Sequence, residues 1–326
     1  MDLQNCKSLS LMAINQGNTK IVYTLLLFVV AGGLLFIHGN INNFDYVYGQ
    51  DQDIIINTTK LADNIYMLQG SGGNILVSVG QDGTFIVDDQ FAPLTVKIKD
   101  AISKITDKAI EFVINTHWHP DHTGGNENLG EAGAIILSHD NVRKRLSTEQ
   151  FSDFFKRSVS PLSEKGLPII TFSDNMTIYQ NGEGIRIIHM DNGHTDGDSV
   201  IYFPKSNVIH VGDDFSDKSF PFIDISSGGS IDGLIASLKM ISSIINDETK
   251  VVSGHTGISN KTKVIDFANM LTEVRNQISQ MINEGQSLQD IINAQPTSNY
   301  EKIYYDYKSI KPKDFVTHTY QSLTKE

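Results

Sequence analysis

The sequence predicts an α/β fold of four layers, αββα, in which two mixed β-sheets lie face to face with helices outside. Three observations carry this expectation. Short apolar runs punctuated by Gly-rich turns recur in two halves of the chain, the mark of strands. Runs with helical spacing are interspersed among them. Loops rich in His, Asp and Gly sit at strand ends, where α/β architectures place their functional groups.

In order along the chain, strands are expected at 65–68, 74–79 and 84–87. The Asp82-Gly83 pair marks a hairpin between the last two. Pro93 opens a helix to 105, with Leu94, Ile98, Ala101, Ile102 and Ile105 on one face. A buried-type strand follows at 111–115, then a strand at 134–137 and a helix at 141–146. Further strands are expected at 169–172, 176–179, 185–189, 199–203 and 208–211. An amphipathic helix runs from Ser230 to about Ile245, a last strand covers 250–253, and a long helix spans 260–283. Short helices at 287–294 and 312–323 close the chain.

The chain has 326 residues, 40% of them hydrophobic, enough for one large core. Lys plus Arg number 26 against 38 Asp plus Glu, a net charge of −12 that repels phosphate backbones and excludes nucleic acid as a partner. Residues 21–37 carry no charge and follow Lys7 and Lys20. Their length falls between the apolar region of a cleaved signal and a membrane span. We read residues 1–49 as an export signal, with cleavage near Val47-Tyr48-Gly49 favoured, or as a membrane anchor with a polar tether. In either case the remainder faces an extracellular or periplasm-like space, and the membrane is a partner only through this segment if it stays uncleaved. Residues 50–326 form the catalytic domain. The one cysteine, Cys6, lies before the apolar run, so the mature domain has neither a disulfide nor a thiolate ligand.

The strongest chemical signal is His117-Trp118-His119-Pro120-Asp121-His122, four candidate ligands in six positions. An isolated His is usually structural, but a cluster at this spacing repels itself once protonated and serves no packing purpose. Three more loops repeat the theme: Gly193-His194-Thr195, Gly212-Asp213-Asp214 and Gly254-His255-Thr256. The glycines let backbone approach closely, so the four loops are expected to converge on one rim of the sheets. In the third of these loops Asp213 and Asp214 both offer a carboxylate. His38, His139, His189, His210 and His318 lie outside these motifs and are read as structural or surface residues, and Trp118 is left without a role.

His-x-His-x-Asp-His, then Gly-His-Thr, then Gly-Asp, then a late Gly-His, in that order over about residues 60–258, resembles the metallo-β-lactamase superfamily of hydrolases. The resemblance implies two zinc ions per chain, one held by His117, His119 and His194 and the other by Asp121, His122 and His255, with Asp213 bridging. It implies a metallo-β-lactamase-like sandwich with the metals in a groove at the strand ends. It further implies a water shared by the two ions as nucleophile, oriented by Asp121, which also passes a proton to the leaving group.

Departures from the family's branches narrow the activity. The absence of cysteine excludes the lactamases with a cysteine ligand, and the Asp-His set is similar to the cysteine-free lactamases, glyoxalase II, lactonases and related thioesterases. His119 stands where flavodiiron oxygen reductases carry Glu, so redox iron is disfavoured. The C-terminal helices are shorter than a glyoxalase-type glutathione-binding domain. The expected activity is hydrolysis of a small-molecule amide or ester-type bond, with a β-lactam the first-named substrate. The alternatives are a lactonase or thioesterase, and a metal-dependent binding module without catalysis. The aromatic segment 215–224 is expected to wall the substrate pocket, with Lys218 a candidate for a substrate carboxylate.

Overall fold

The computed structural model of the protein describes residues 54–305 and 310–324. The apolar run at 21–37, its cleavage point, Cys6 and His38 lie outside the described residues. Among the described residues no helix is long and apolar enough to cross a membrane.

The described residues open with a meander of four antiparallel strands, β1 (Asn57–Lys60), β2 (Ile65–Gln69), β3 (Ile75–Gly80) and β4 (Gly83–Val87). Helix α1 (Thr95–Ser103) crosses to β5 (Ile110–Ile114), and β5 pairs in parallel with β4. Two short helices follow, α2 (Pro120–Thr123) and α3 (Asn126–Glu131), then β6 (Ile135–His139) and α4 (Asp140–Leu146). A small separate hairpin, β7 (Gln150–Ser152) with β8 (Arg157–Val159), precedes β9 (Ile170–Phe172), which completes the first sheet. The second sheet contains β10 (Asn175–Gln180), β11 (Glu183–His189), β12 (Ser199–Phe203), β13 (Val208–His210), β14 (Lys250–Val252) and β15 (Ile258–Ser259). Between β13 and β14 lies α5 (Ile231–Ile244). After β15 come α6 (Lys261–Asn283), α7 (Leu288–Ala294), α8 (Glu301–Tyr304) and α9 (Pro312–Thr324).

Strand order in the first sheet is β1-β2-β3-β4-β5-β6-β9 and in the second β10-β11-β12-β13-β14-β15. Both are mixed, since β4 to β9 in one and β13 with β14 in the other run parallel. The period-2 alternation of strands divides their side chains between two layers. In β12, Ile201 and Phe203 pack with Met67, Leu76, Val87 and Ile114 of the first sheet. Val200 and Tyr202 point the other way, onto Leu234 and Leu238 of α5 and Phe267 and Leu271 of α6. The outer face of the first sheet, including Val77, Ile86 and Val113, is covered by Leu94, Ile98 and Ile102 beside and within α1. These three cores lie between the four αββα layers, and each fully buried Leu or Ile contributes roughly 1.5–3 kcal/mol.

Most expected elements are present with ends shifted by a residue or two, as when a 3₁₀ turn at Ala92–Leu94 replaces the first turn of the predicted helix. The sequence reading passed over β1, the β7–β8 hairpin and β15, all of four residues or fewer and too short to show a period. It also passed over α3, whose Asn-Glu-Asn-Leu-Gly-Glu sequence has one buried apolar side chain, Leu129.

Candidate metal centre

Four strand ends deliver the cluster. Strand β5 runs into Asn115-Thr116-His117; His119 then caps α2, which turns Asp121 and His122 inward from its first turn. His194 comes from the loop between β11 and β12, Asp213 from a 3₁₀ turn after β13, and His255 from the loop after β14. Two glycines are required by close approach. A Cβ on Gly73 would collide with the His122 ring, and one on Gly254 with Asp213 Oδ1.

In the first cluster, His117 Nε2 lies 3.1 Å from His119 Nδ1, which lies 2.9 Å from His194 Nε2. The opposite nitrogens decide which atoms carry protons. His194 Nδ1 is 2.7 Å from the Phe222 carbonyl, which can only accept, so it donates there. His119 Nε2 donates to Asp224 Oδ2 at 3.0 Å. His117 Nδ1 is 3.0 Å from Thr116 Oγ1, and the Thr116 hydroxyl proton is already directed to Asp88 Oδ2 at 2.8 Å, so His117 donates as well. With those protons directed outward, the inward nitrogens of the three rings face one another as acceptors. That arrangement is repulsive unless a cation lies between them, and a second partner on each ring is the usual support of a metal-ligating histidine.

The second cluster adds carboxylates to the imidazoles. His122 Nδ1 contacts Asp88 Oδ2 at 2.7 Å, leaving His122 Nε2 to face His255 Nε2 at 3.4 Å. Asp121 Oδ2 is 3.2 Å from His255 Nε2 and 3.7 Å from His122 Nε2. Asp213 stands between the clusters: Oδ1 is 3.4 Å from His122 Nε2, while Oδ2 is 3.2 Å from His255, 3.8 Å from His194 and 3.9 Å from His117. Asp213 Oδ1 is buried without a hydrogen-bond partner. The ligand atoms of three overlapping groups, His117/His119/His194, His117/His122/Asp213 and Asp121/His122/His255, each lie within 4.8 Å of one another. A set of imidazole nitrogens and carboxylate oxygens fits divalent metals of the zinc type.

The electrostatics follow from burial and from these neighbours. Burial, with the neighbouring His122 and His194, holds the His117 imidazole well below its ordinary range, and burial with His119 lowers His194 to about 4. In the second cluster the carboxylates win. Asp213 above all pushes His255 up to about 10. Burial lowers His122, but Asp213, Asp121 and Asp88 outweigh it and raise the ring well above its usual value. Burial likewise raises Asp121 and Asp213, and their imidazole neighbours more than reverse this, holding both carboxyls below the usual range. Protons on His122 and His255 thus neutralise the same carboxylates that a metal would.

Asp214, the alternative to Asp213, faces away from the cluster. Its Oδ1 accepts from the His194 backbone N–H at 3.1 Å, and burial pushes its carboxyl up to about 7 beside the likewise raised Asp198.

A model of the metallo-β-lactamase superfamily matches residues 58–255, which hold all seven of these residues. The chain belongs to the metallo-β-lactamase superfamily. It is 22% identical over 223 residues to a metallo-β-lactamase type 2 from Elizabethkingia meningoseptica, covering 66% of this chain and 84% of that protein. It is 28% identical over 105 residues to a hydroxyacylglutathione hydrolase from Erythrobacter litoralis, a stretch that covers 32% of this chain and only 34% of that relative. Its fold resembles the solved metallo-β-lactamase from Pontibacter korlensis, with a TM-score of 0.56 at 16% identity over 67% of this chain and 99% of that one.

On this superfamily scaffold, several supporting residues escaped the sequence reading. Asp88 holds Thr116 and His122 from a left-handed backbone (φ 63°), a conformation that costs about 1–3 kcal/mol and clusters at functional sites. Asp224, nearly fully buried, orients His119. Asn74 clamps the His255 loop by donating to the carbonyls of Ser253 and Thr256. A lone Asp-Asp-Gln after a strand, or one Asp in an aromatic segment, carries no spacing signal.

The centre opens into a cleft of about 830 Å³. Phe215, Phe220 and Phe222 form one wall, as expected for segment 215–224, and Lys218 is exposed at the rim. Phe154, Phe155 and Arg157 of the hairpin form another. Trp118 lines the cleft and donates through Nε1 to Ser227 Oγ at 3.1 Å. The remaining described histidines have structural surroundings. His139 stacks on His189 at 3.7 Å, His210 lies 2.8 Å from the Asn74 carbonyl, and His318 is buried against Phe154 and Phe222.

Proposed function

We propose that the protein is an exported hydrolase with two zinc ions that cleaves a small-molecule amide or ester-type bond, with a β-lactam as the substrate to test first. One observation carries the reading: Asp213 stands between two clusters of imidazole nitrogens, at 3.4 Å from His122 on one side and 3.8 Å from His194 on the other. Bound zinc would supply a water acidified toward neutrality and a Lewis acid for the carbonyl. The chain's own residues do the rest. Asp121, partly exposed to the cleft and ionised beside His122 and His255, orients the attacking water and carries its proton toward the leaving group. The Phe222 and Trp118 walls exclude bulk water from the reacting bond. The net charge of −12 supports a small-molecule partner over nucleic acid, and the apolar 21–37 segment supports export.

A lactonase or thioesterase is the second reading, favoured by an aspartate, not a cysteine, spanning both clusters and by the match to a hydroxyacylglutathione hydrolase. A purified sample should hold two metal equivalents and turn over a chromogenic cephalosporin, with Asp121→Ala reducing the rate at least a hundredfold. Lactone or thioester turnover without cephalosporin cleavage reverses the ranking. Full metal content with no hydrolysis across all three classes overturns the hydrolase and leaves a metal-binding module. The mass of the exported protein tests processing of the leader.

A further inference from the structure

The loop that carries His194 and the 3₁₀ turn at Ile225–Ser227, just after Asp224, come from separate stretches of the chain and meet at Asp196. The Asp196 N–H donates to the Ser227 carbonyl at 2.9 Å, and Gly228, in the left-handed region (φ 81°), packs so closely that a Cβ there would lie 3.0 Å from Asp196 Cβ. Ser227 Oγ in turn donates to Asp224 Oδ2 at 2.6 Å, the oxygen that also accepts from His119. The Asp224 N–H returns to the His194 carbonyl at 2.9 Å. Two of the three imidazoles of the first cluster are therefore set by one junction of loop and turn.

Arg145 of α4 grips that junction. Its Nε and Nη2 donate to Asp196 Oδ1 and Oδ2, both at 2.7 Å, with the two side chains only 17% and 24% exposed. Nη1 donates to Gln150 Oε1 at 3.1 Å, so all three guanidinium nitrogens are engaged. One turn earlier on the helix, Asn141 Nδ2 donates to the Asp196 carbonyl at 2.8 Å. A two-pronged ion pair largely removed from water is strongly directional, and losing one member leaves the other charge uncompensated. The second cluster is supported elsewhere, since Asp88 holds His122 and Asn74 clamps the His255 loop.

We infer that Arg145 is a positioning residue for the metal centre. Through Asp196 it fixes the His194 loop and the Asp224–Ser227 turn together, and so sets the metal affinity of His117, His119 and His194 without setting that of Asp121, His122 and His255. The inference rests on the two-metal reading above.

The experiment is zinc competition against a chromophoric chelator on the full chain, in native protein and in two backgrounds that each keep one cluster. Asp121→Ala with His255→Ala leaves the first, and His119→Ala with His194→Ala leaves the second. In the first-cluster background Arg145→Ala should weaken zinc about tenfold, the lower end for loss of such support, because Arg145 acts one contact further out than Asp224. Arg145→Lys should recover part of this, since an ammonium replaces only one prong of the fork. Adding Asp196→Asn to Arg145→Ala should cost less than a further twofold, because both changes break the same pair. In the second-cluster background the affinity should stay within twofold. Circular dichroism verifies folding, and if Arg145→Ala does not fold, Arg145→Lys and Asp196→Asn carry the same comparison. An affinity of the first cluster within twofold of its parent, or an equal loss in both backgrounds, overturns the inference while the two-metal reading stands. A native chain that takes up no zinc overturns that reading and this inference with it.

Discussion

Replacing Asp224 by Asn tests the idea that the second-row contacts, not the ligands alone, create the first cluster. The Asp224 carboxylate accepts from His119 Nε2 at 3.0 Å, from Ser227 Oγ at 2.6 Å, and through Oδ1 from Ser226 Oγ at 2.5 Å and Ser227 N at 3.2 Å. An amide of the same size has one accepting oxygen. If it stays with Ser226 and Ser227 N–H, the NH₂ faces His119 Nε2 and forces that nitrogen to accept. The proton then moves to Nδ1, the atom 2.9 Å from His194 Nε2, and the ligand is lost. If the amide turns over, two loop contacts fail instead. Loss of such a partner typically costs 10–100-fold in metal affinity, about 1.4–2.7 kcal/mol. The burial of Asp224, whose carboxyl is held below its usual range by His119 and the two serines against the cost of burial, places the effect toward the upper end. Competition against a chromophoric chelator measures the weaker of the bound ions in native and variant protein, with circular dichroism to verify folding. An affinity within twofold of native in a folded variant would refute the reasoning.

Three further outcomes are expected. Because Asp213 and Asp121 keep His255 protonated up to about pH 10, and raise His122 as well, metal entering that cluster displaces protons, so its affinity rises with pH by up to tenfold per unit per proton. Calorimetry in buffers of different ionisation enthalpy should show at least one proton released, and a pH-independent affinity contradicts the assignment. Asp213→Ala should drop the metal content from two equivalents toward one by elemental analysis, since the residue reaches both clusters; two retained equivalents would remove its bridging role. Asp214 has a carboxyl raised by burial to about 7, so native stability falls as pH rises from about 4 to 7 and the full penalty remains above that. Asp214→Asn removes the penalty, so its gain in melting temperature should be larger at pH 8.5 than at pH 5, and an equal shift at both refutes the linkage.

The sequence by itself determined the layers and the inner ring of candidate ligands. Alternating strands such as 199–203 divide their residues between two faces whatever surrounds them, and His-x-His-x-Asp-His is dense enough to need no partner for its recognition. Tertiary structure decided the rest. The choice of Asp213 over Asp214 turns on which side chain the 3₁₀ turn after β13 aims inward, a matter of backbone geometry that two adjacent aspartates do not encode. Asp88 and Asp224 reach their histidines across 34 and 105 residues of sequence, so no local spacing could mark them. The β7–β8 hairpin has three-residue strands below the length at which periodicity speaks, and its place in the cleft wall exists only in the fold. Local patterns in a chain specify elements and short motifs, because those depend on nearest neighbours. The contacts that gather seven side chains into a candidate metal centre join distant loops, and those exist only once the sheets have packed.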